Sequence, residues 1–560
     1  MSLEPLPLSR RDLLLGAAAA AALAPGAARA QGATVSGVVF EDRGGAGQRQ
    51  PDDPGLPGVL VSNGRDVAVT DAQGRYSLPL PEAAIIFVIK PAGYMPPVDP
   101  VTGSPRFYRI HQPGGTPAAL GLTFEGIAPT PPLPASLDFP LRRQDEPKRF
   151  EVVLFTDPQP ESDAEVDFIR EDVIEALAGT TARFGLTAGD LMFDDLSLYP
   201  RYNALIGAIG LPWWNIGGNH DLNFEAPDRR LSRETFKRVF GPNYYAFAYA
   251  DALFLMLDDV DYLGADPSKP RSAGKYEGRL DPAQLDFIRA VLAQTPADRL
   301  IVVVLHIPLR TALDPADPSV NLTNRNELFA LLAGRPHTVS FAGHTHTTEH
   351  HYFDAADGWS GTAPHHHHVL TAVSGSWWSG PPDHRGVACA DSRDGSPNGF
   401  HILSVDGVAY KTRFVPAKEP NGRQMRISVD SRFHGEQPEV IREFRQGEIL
   451  GSPIARARVA STTILANVFD GGPRTTVAMR IGDRDALPMT RRSTPDPFVR
   501  EVFARNEATK KPWVKAEPSS HVWTARLPAD LPAGTHRLVV EAIGEYGDVV
   551  TGRIALEVTG

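Results

Sequence analysis

One cysteine in 560 residues, Cys389, rules out an intramolecular disulfide and any Cys-rich metal site. Basic charge is also in short supply. Against 67 Asp and Glu there are 56 Lys and Arg, and the net charge of −11 draws the chain neither to nucleic acid nor to an anionic membrane. Long apolar runs are missing after residue 30: the run at 300–305 has strand length, far short of the ~20 residues of a membrane-spanning helix. With 42% hydrophobic and 22% charged residues, wholesale disorder is excluded too. What is plentiful is turn-forming residues, 50 Gly and 51 Pro, and histidine. Ten of the 17 histidines fall between His337 and His384, the first pointer to a site. At about 150 residues per domain, the length calls for several domains.

Residues 1–30 read as a removable export segment. Arg10 and Arg11 precede an apolar stretch at 13–24, and Ala28-Arg29-Ala30 offers a small-x-small cleavage site. The pattern resembles a bacterial twin-arginine signal, which engages the twin-arginine export machinery. A periplasmic or secreted protein with no transmembrane segment in its mature chain is therefore expected. Residues 33–145 alternate short strands with turns and resemble transthyretin-like or carboxypeptidase-regulatory-like β-sandwiches. Their acids Glu41, Asp42, Asp52, Asp53 and Asp71 are either a calcium site or solvated turn acids. A Pro-rich connector at 129–134 leads to residues 148–415, where strands (151–156, 183–187, 213–216, 253–257, 300–305) alternate with helical patterning. Val166, Ile169, Val173, Ile174 and Leu177 have the helical spacing over 164–177. Residues 416–560 return to short alternating strands and suggest an immunoglobulin-like sandwich.

Five segments of the central region place ligand-type side chains just after an expected strand. They are Asp157-Pro158-Gln159, Gly189-Asp190, Gly218-Asn219-His220-Asp221, His306 and Gly343-His344-Thr345-His346. In α/β proteins such residues gather at the carboxyl edge of the sheet, where sites form. One such segment is ordinary turn chemistry; five in a row are not. In this order they resemble the motifs of the calcineurin-like metallophosphoesterases, DxH, GDxxD, GNHD/E, H and GHxH. GNHD and GHxH match letter for letter, and the segment GKYEGRLDPAQ at 274–284 also looks familial. The resemblance covers roughly residues 150–414. It implies an α/β fold, a two-sheet αββα-type sandwich, here flanked by an N-terminal and a C-terminal all-β sandwich domain.

The resemblance further implies two divalent or trivalent metal ions, with Mn, Zn or Fe best suited to mixed imidazole and oxygen ligands. Asp190 would bridge them. Asp157, Gln159 and His346 would complete the first site, and Asn219, His306 and His344 the second. The implied activity is exported hydrolysis of a phosphate ester by a hydroxide held between the ions. A diester is slightly favoured, with a phosphomonoesterase or nucleotide pyrophosphatase as alternatives. Substrates would be small phosphate esters or lipid or nucleotide head groups, not nucleic acid. From a different class, the chain could be a glycan-binding surface protein with a degenerate catalytic domain. His220, oriented by Asp221, is expected to stabilise the transferring group or protonate the leaving oxygen.

Two departures from the family pattern stand out. Gln159 replaces the usual histidine and makes the first site oxygen-rich, and the second Asp of GDxxD is shifted, leaving Asp194 or Asp195 as turn acids. Trp377, Trp378 and Asn398 are candidates for the substrate rim. His350, His351 and the run His365–His368 line the pocket, brace ligands, gather metal during loading, or form a solvated loop. None is assigned as a ligand. Cys389 is expected to pack inertly.

Overall fold

The computed structural model describes residues 33–266, 274–417, 422–430 and 453–560. The expected export segment lies outside the described residues. The chain is mixed α/β, and its central strands form two sheets. In the first, the order is Trp213–Ile216, Phe184–Ala188, Arg149–Phe155, Gly399–Asp406 and Ala409–Pro416. The first three of these run parallel, and the last two return antiparallel. In the second, Ala252–Met256, Leu300–Val304, Thr338–Ala342 and His365–Val369 run parallel, with Tyr245–Tyr249 and Glu349–Phe353 antiparallel at the edges.

The period-2 alternation of a strand assigns its two faces. Phe150, Val152 and Leu154 enter the large core shared with the second sheet, whereas Val153 and Phe155 join a separate core with the helices. Leu300–Val304 is buried on both faces, which accounts for its uninterrupted apolar sequence. The helical pattern at 164–177 is realised as helix Asp163–Ile169, capped by Ser162, continuing through a wider turn at Arg170–Ile174 and a tight one at Glu175–Leu177.

On the N-terminal side lie two four-stranded sheets, one built on Thr34–Glu41 and one on Ala84–Ile89, and their apolar residues join the large core. Lys90 is anchored there by the Glu146 carboxylate and the Ala248 carbonyl, both at 2.6 Å. Glu41 pairs with Arg43 and Arg143, and Asp42, Asp53 and Asp71 act as turn acids. Asp42 accepts from Ala46 and Gly47 amides, and Asp53 from those of Arg43 and Gln50. On the C-terminal side a four-stranded and a five-stranded sheet share their own core around Trp523, Met479 and Leu538. Among the described residues, no helix is long and apolar enough to cross a membrane.

One expectation is overturned. His365–His368 is not a solvated loop but part of an interior strand, paired parallel with Thr338–Ala342 and antiparallel with Glu349–Phe353. All four imidazoles are buried. Neutral imidazole has an apolar body and can satisfy its two nitrogens locally, so it tolerates such a position when partners are supplied.

Candidate metal centre

Parallel strands deliver their carboxyl ends to one edge, and the ligand-type residues follow directly. Asp157 and Gln159 come after Phe155, Asp190 after Ala188, Asn219 after Ile216, His306 after Val304, and His344 and His346 after Ala342. The structure brings these seven to one place. Asp190, His306 and His344 lie close enough to share an ion. Backbone strain is concentrated there: Asp157, Gln159, Asp190, His344 and His346 all have positive φ, between 38° and 73°. The motif glycines make the close approach feasible. A Cβ on Gly343 would sit 1.6 Å from Thr156 Oγ1 and 2.3 Å from Asp157 Oδ2, and one on Gly218 would sit 2.1 Å from Asp190 Oδ1.

Each of the three histidines has its tautomer set by a backbone carbonyl, which can only accept. His306 Nδ1 donates to Ala188 at 2.9 Å, His344 Nε2 to Ser319 at 3.0 Å, and His346 Nδ1 to Gly375 at 2.5 Å. The opposite nitrogen of each ring is left for an electrophile, the arrangement characteristic of metal-ligating histidine. His306 Nε2 lies 3.2 Å from Asp190 Oδ2 and 3.0 Å from Asn219 Oδ1, and His346 Nε2 lies 3.6 Å from Asp157 Oδ1. Gln159 donates through Nε2 to Asp190 Oδ2 at 2.8 Å. Its Oε1 and Asp157 Oδ1 are buried without a hydrogen-bond partner, a costly state that a cation would relieve.

The electrostatics agree with a cation-binding role. Burial pushes Asp157 up to about 7 against the pull of His306. Burial and His306 push His344 down to about 3, and burial holds His346 well below its usual range, so both rings are neutral. His306 goes the other way: burial opposes protonation, but Asp190 outweighs it and raises the ring to about 10. A metal ion would take the place of that proton.

His220 is where the sequence-based expectation needs correcting. Asp221 does not orient it. The Asp221 carboxylate is fully buried and accepts from the amides of Gly218, Leu191 and Met192 and from the Tyr199 hydroxyl, so it braces the loops. Asp194, expected to be a turn acid, is the partner: its Oδ1 lies 2.7 Å from His220 Nδ1. Asp195 is the turn acid, capping Leu196–Leu198. Burial would lower the His220 pKa, but Asp190 and Asp194 together raise it to about 9.

The rim also differs from expectation. Trp377 lines the cavity, its ring stacked on His346 at 3.7 Å. Trp378 instead sits in the core and donates to the Pro158 carbonyl, and buried Asn398 donates to the Val373 carbonyl, so neither faces this cavity. The cavity has a volume of about 200 Å³, below the roughly 300–1,000 Å³ of drug-sized ligand pockets, and Tyr276 and Arg393 join its lining. Phe193 stacks on His220 at 4.5 Å and on Trp513 at 5.4 Å. Arg233 was not identified from the sequence either. Its buried guanidinium holds the carbonyls of Gly217, Gly218 and Asp221 and pairs with Asp258. The Asp258-Asp259 pair after a predicted strand was the available signal; Asp259 Oδ1 accepts from the His306 and Ile307 amides.

Residues 44–125 match the family model "N terminal of Calcineurin-like phosphoesterase", and residues 367–549 match "C terminal of Calcineurin-like phosphoesterase". The segment between the two matches carries Asp157 through His346. No curated protein matches the chain. Among solved structures, a purple acid phosphatase, PPD1, from yellow lupin seeds is 11% identical, with 65% of this chain and 68% of that one covered at a TM-score of 0.35. The extracellular domain of BT3049, named as a hybrid two component system of B. thetaiotaomicron, is 10% identical over 34% of this chain and 20% of that one, at a TM-score of 0.14. Both superpositions are too loose to assign a fold.

Proposed function

The chain is, by family, a calcineurin-like metallophosphoesterase, and from that premise we propose that it hydrolyses a small phosphodiester at a two-ion centre. The observation that carries this is the convergence of three histidines, each with one nitrogen fixed as a donor to a carbonyl, on strained and buried oxygen ligands. Asp157, Gln159 and His346 would hold one ion, Asn219, His306 and His344 the other, and Asp190 would serve both. The ions would supply Lewis-acid stabilisation of the phosphoryl oxygens and a nucleophile at neutral pH.

The chain's own side chains do the rest. His220, kept protonated by Asp194 and Asp190, donates its Nε2 proton to the leaving oxygen. Phe193 stacked against its ring limits rotation. Arg393 lines the cavity beside Trp377 and offers a cation to the phosphoryl group. Trp377, Phe193 and exposed Trp513 form an aromatic wall that accommodates the second substituent of a diester. The flanking pairs of sheets are β-sandwich domains bounded near 145 and 416. The Arg10-Arg11 segment supports twin-arginine export to the periplasm or medium.

The test is a substrate screen on chain reconstituted with Mn²⁺, Zn²⁺ or Fe. It compares a phosphate monoester, a diester, and nucleotide and lipid-head-group conjugates, with Asp190→Asn run in parallel. Diester turnover abolished by Asp190→Asn is the expected outcome. Monoester turnover alone would replace the diester assignment, and no metal uptake with no turnover after Mn²⁺ or Zn²⁺ addition would favour a binding protein.

A further inference from the structure

A second group of metal-ligating side chains lies outside this centre, where the C-terminal module meets the histidine-rich strands. Asp470 projects from the turn after Thr463–Val468, and three imidazoles converge on its Oδ1. His368 Nε2 lies at 3.0 Å, His350 Nε2 at 3.1 Å and His401 Nε2 at 3.4 Å. The three rings are wholly buried and Asp470 is 16% exposed.

The ligand atoms of His350, His368 and Asp470 all lie within 4.8 Å of one another, close enough to share an ion, and His401 lies outside that group. Tetrahedral zinc with bonds of about 2.0–2.1 Å places its ligand atoms roughly 3.3 Å apart. Protons account for the cluster less well. Among the described residues His368 Nε2 has no hydrogen-bond partner despite its distance from the carboxylate, whereas His350 Nε2 and His401 Nε2 lie within hydrogen-bond reach of it. The outer nitrogens of the His368 and His350 rings are provided for. His368 Nδ1 lies 3.3 Å from Thr412 Oγ1. His350 Nδ1 lies 3.0 Å from His366 Nε2, and His366 Nδ1 lies 2.9 Å from the Tyr410 hydroxyl. With the proton on Nδ1 of each ring, His350 donates to His366 and His366 to Tyr410. The inward Nε2 atoms then keep their lone pairs, as outer hydrogen bonds arrange in known metal sites. The turn is built for close contact as well: a Cβ on Gly472 would sit 2.7 Å from His350 Cβ.

We propose that His350, His368 and Asp470 form a site for Zn²⁺ that fastens the C-terminal module to the catalytic domain. The three ligands come from two places: His350 and His368 from one central sheet, and Asp470 from the C-terminal module. The same module contributes Trp513 to the aromatic wall beside His220, so the staple also positions part of the rim.

The test uses the full chain carrying Asp157→Asn, Asp190→Asn and His306→Ala, which disables the centre assigned to phosphoester hydrolysis. That background should still retain one Zn²⁺ per chain by mass spectrometry of metals after dialysis. With Co²⁺ it should show the intense visible bands of a tetrahedral site. Adding Asp470→Asn or His368→Gln should remove that ion, whereas His351→Ala, a neighbouring histidine outside the set, should leave it. No retained metal in the background chain overturns the proposal, as does unchanged content in the Asp470 and His368 variants. Should those variants fail to fold, X-ray absorption at the zinc edge of the background chain decides: two imidazoles with oxygen ligands support the site, and any other set overturns it. Phosphatase activity does not enter, so either assignment can fail without the other.

Discussion

Arg233→Met should be among the most damaging single substitutions in the catalytic domain, although Arg233 touches no proposed metal ligand side chain. Its guanidinium and the Asp258 carboxylate are 2% and 3% exposed, and they meet at 2.9 Å. The same guanidinium donates to Gly218 O at 2.6 Å, Asp221 O at 3.1 Å and Gly217 O at 3.3 Å, binding together the loop that presents Asn219 and His220. Removing one member of a buried ion pair costs about 3–5 kcal/mol, because the other charge stays buried. Here three carbonyls also lose a donor, while Asn243, 2.6 Å from Asp258 Oδ2, softens the loss. About 4 kcal/mol is expected, a large part of the ~5–15 kcal/mol that holds a domain together. Urea unfolding at low temperature would read this as a lower midpoint at unchanged m. The double variant Arg233→Met/Asp258→Asn should recover part of the loss, since no uncompensated charge remains. A cost under about 1 kcal/mol for Arg233→Met, or no recovery in the double variant, would refute the clamp.

Asp194→Asn should lower the pKa of His220 from about 9 by one unit or more, since it removes a nearby negative charge and its hydrogen bond. Because the acid must be protonated, the alkaline fall of the pH–rate profile should move to lower pH, with larger losses for an alkyl leaving group than for nitrophenolate. An unmoved profile would exclude the pair. His365 is held at about 3 by burial, below its ordinary value of 6.5, so the unfolded chain takes up the proton first. Its contribution is complete above the ordinary value and is lost as pH falls toward 3; at pH 5 the loss is about 2 kcal/mol. The stability advantage of the unsubstituted chain over His365→Gln should narrow by that amount between about pH 7.5 and pH 5, and a constant difference would count against it. Gly343→Ala should abolish metal uptake at the centre of Asp157 and Asp190, because its Cβ would collide with Thr156 and Asp157, whereas Gly334→Ala meets nothing within 4 Å and should leave melting and metal content unchanged.

Much of the centre was legible in the chain because strand and turn signals are local. An apolar run such as Leu300–Val304, ending at His306, marks a strand and the residue at its carboxyl edge without any knowledge of neighbours. What was misjudged depended on contacts between distant segments. Asp221, next to His220 in the chain, was the expected partner, and only the path of the loop after Phe184–Ala188 brings Asp194 to it while three amides and Tyr199 occupy Asp221. Trp377 and Trp378 are adjacent, yet one stacks on His346 and the other enters the core.

By itself the sequence determined the order of the ligand-type residues, the alternation that delivers them to a sheet edge, and the glycines that permit their approach. Those properties follow from periodicity and backbone sterics over a few residues. Only the tertiary structure decided what the histidine run does. Alternation along His365–Val369 turns His365 and His367 toward Ser340, and His366 and His368 toward Tyr410 and Asp470. Asp470 is about a hundred residues from His368 along the chain, and such a meeting leaves no local pattern, because it depends on how two separately cored units pack.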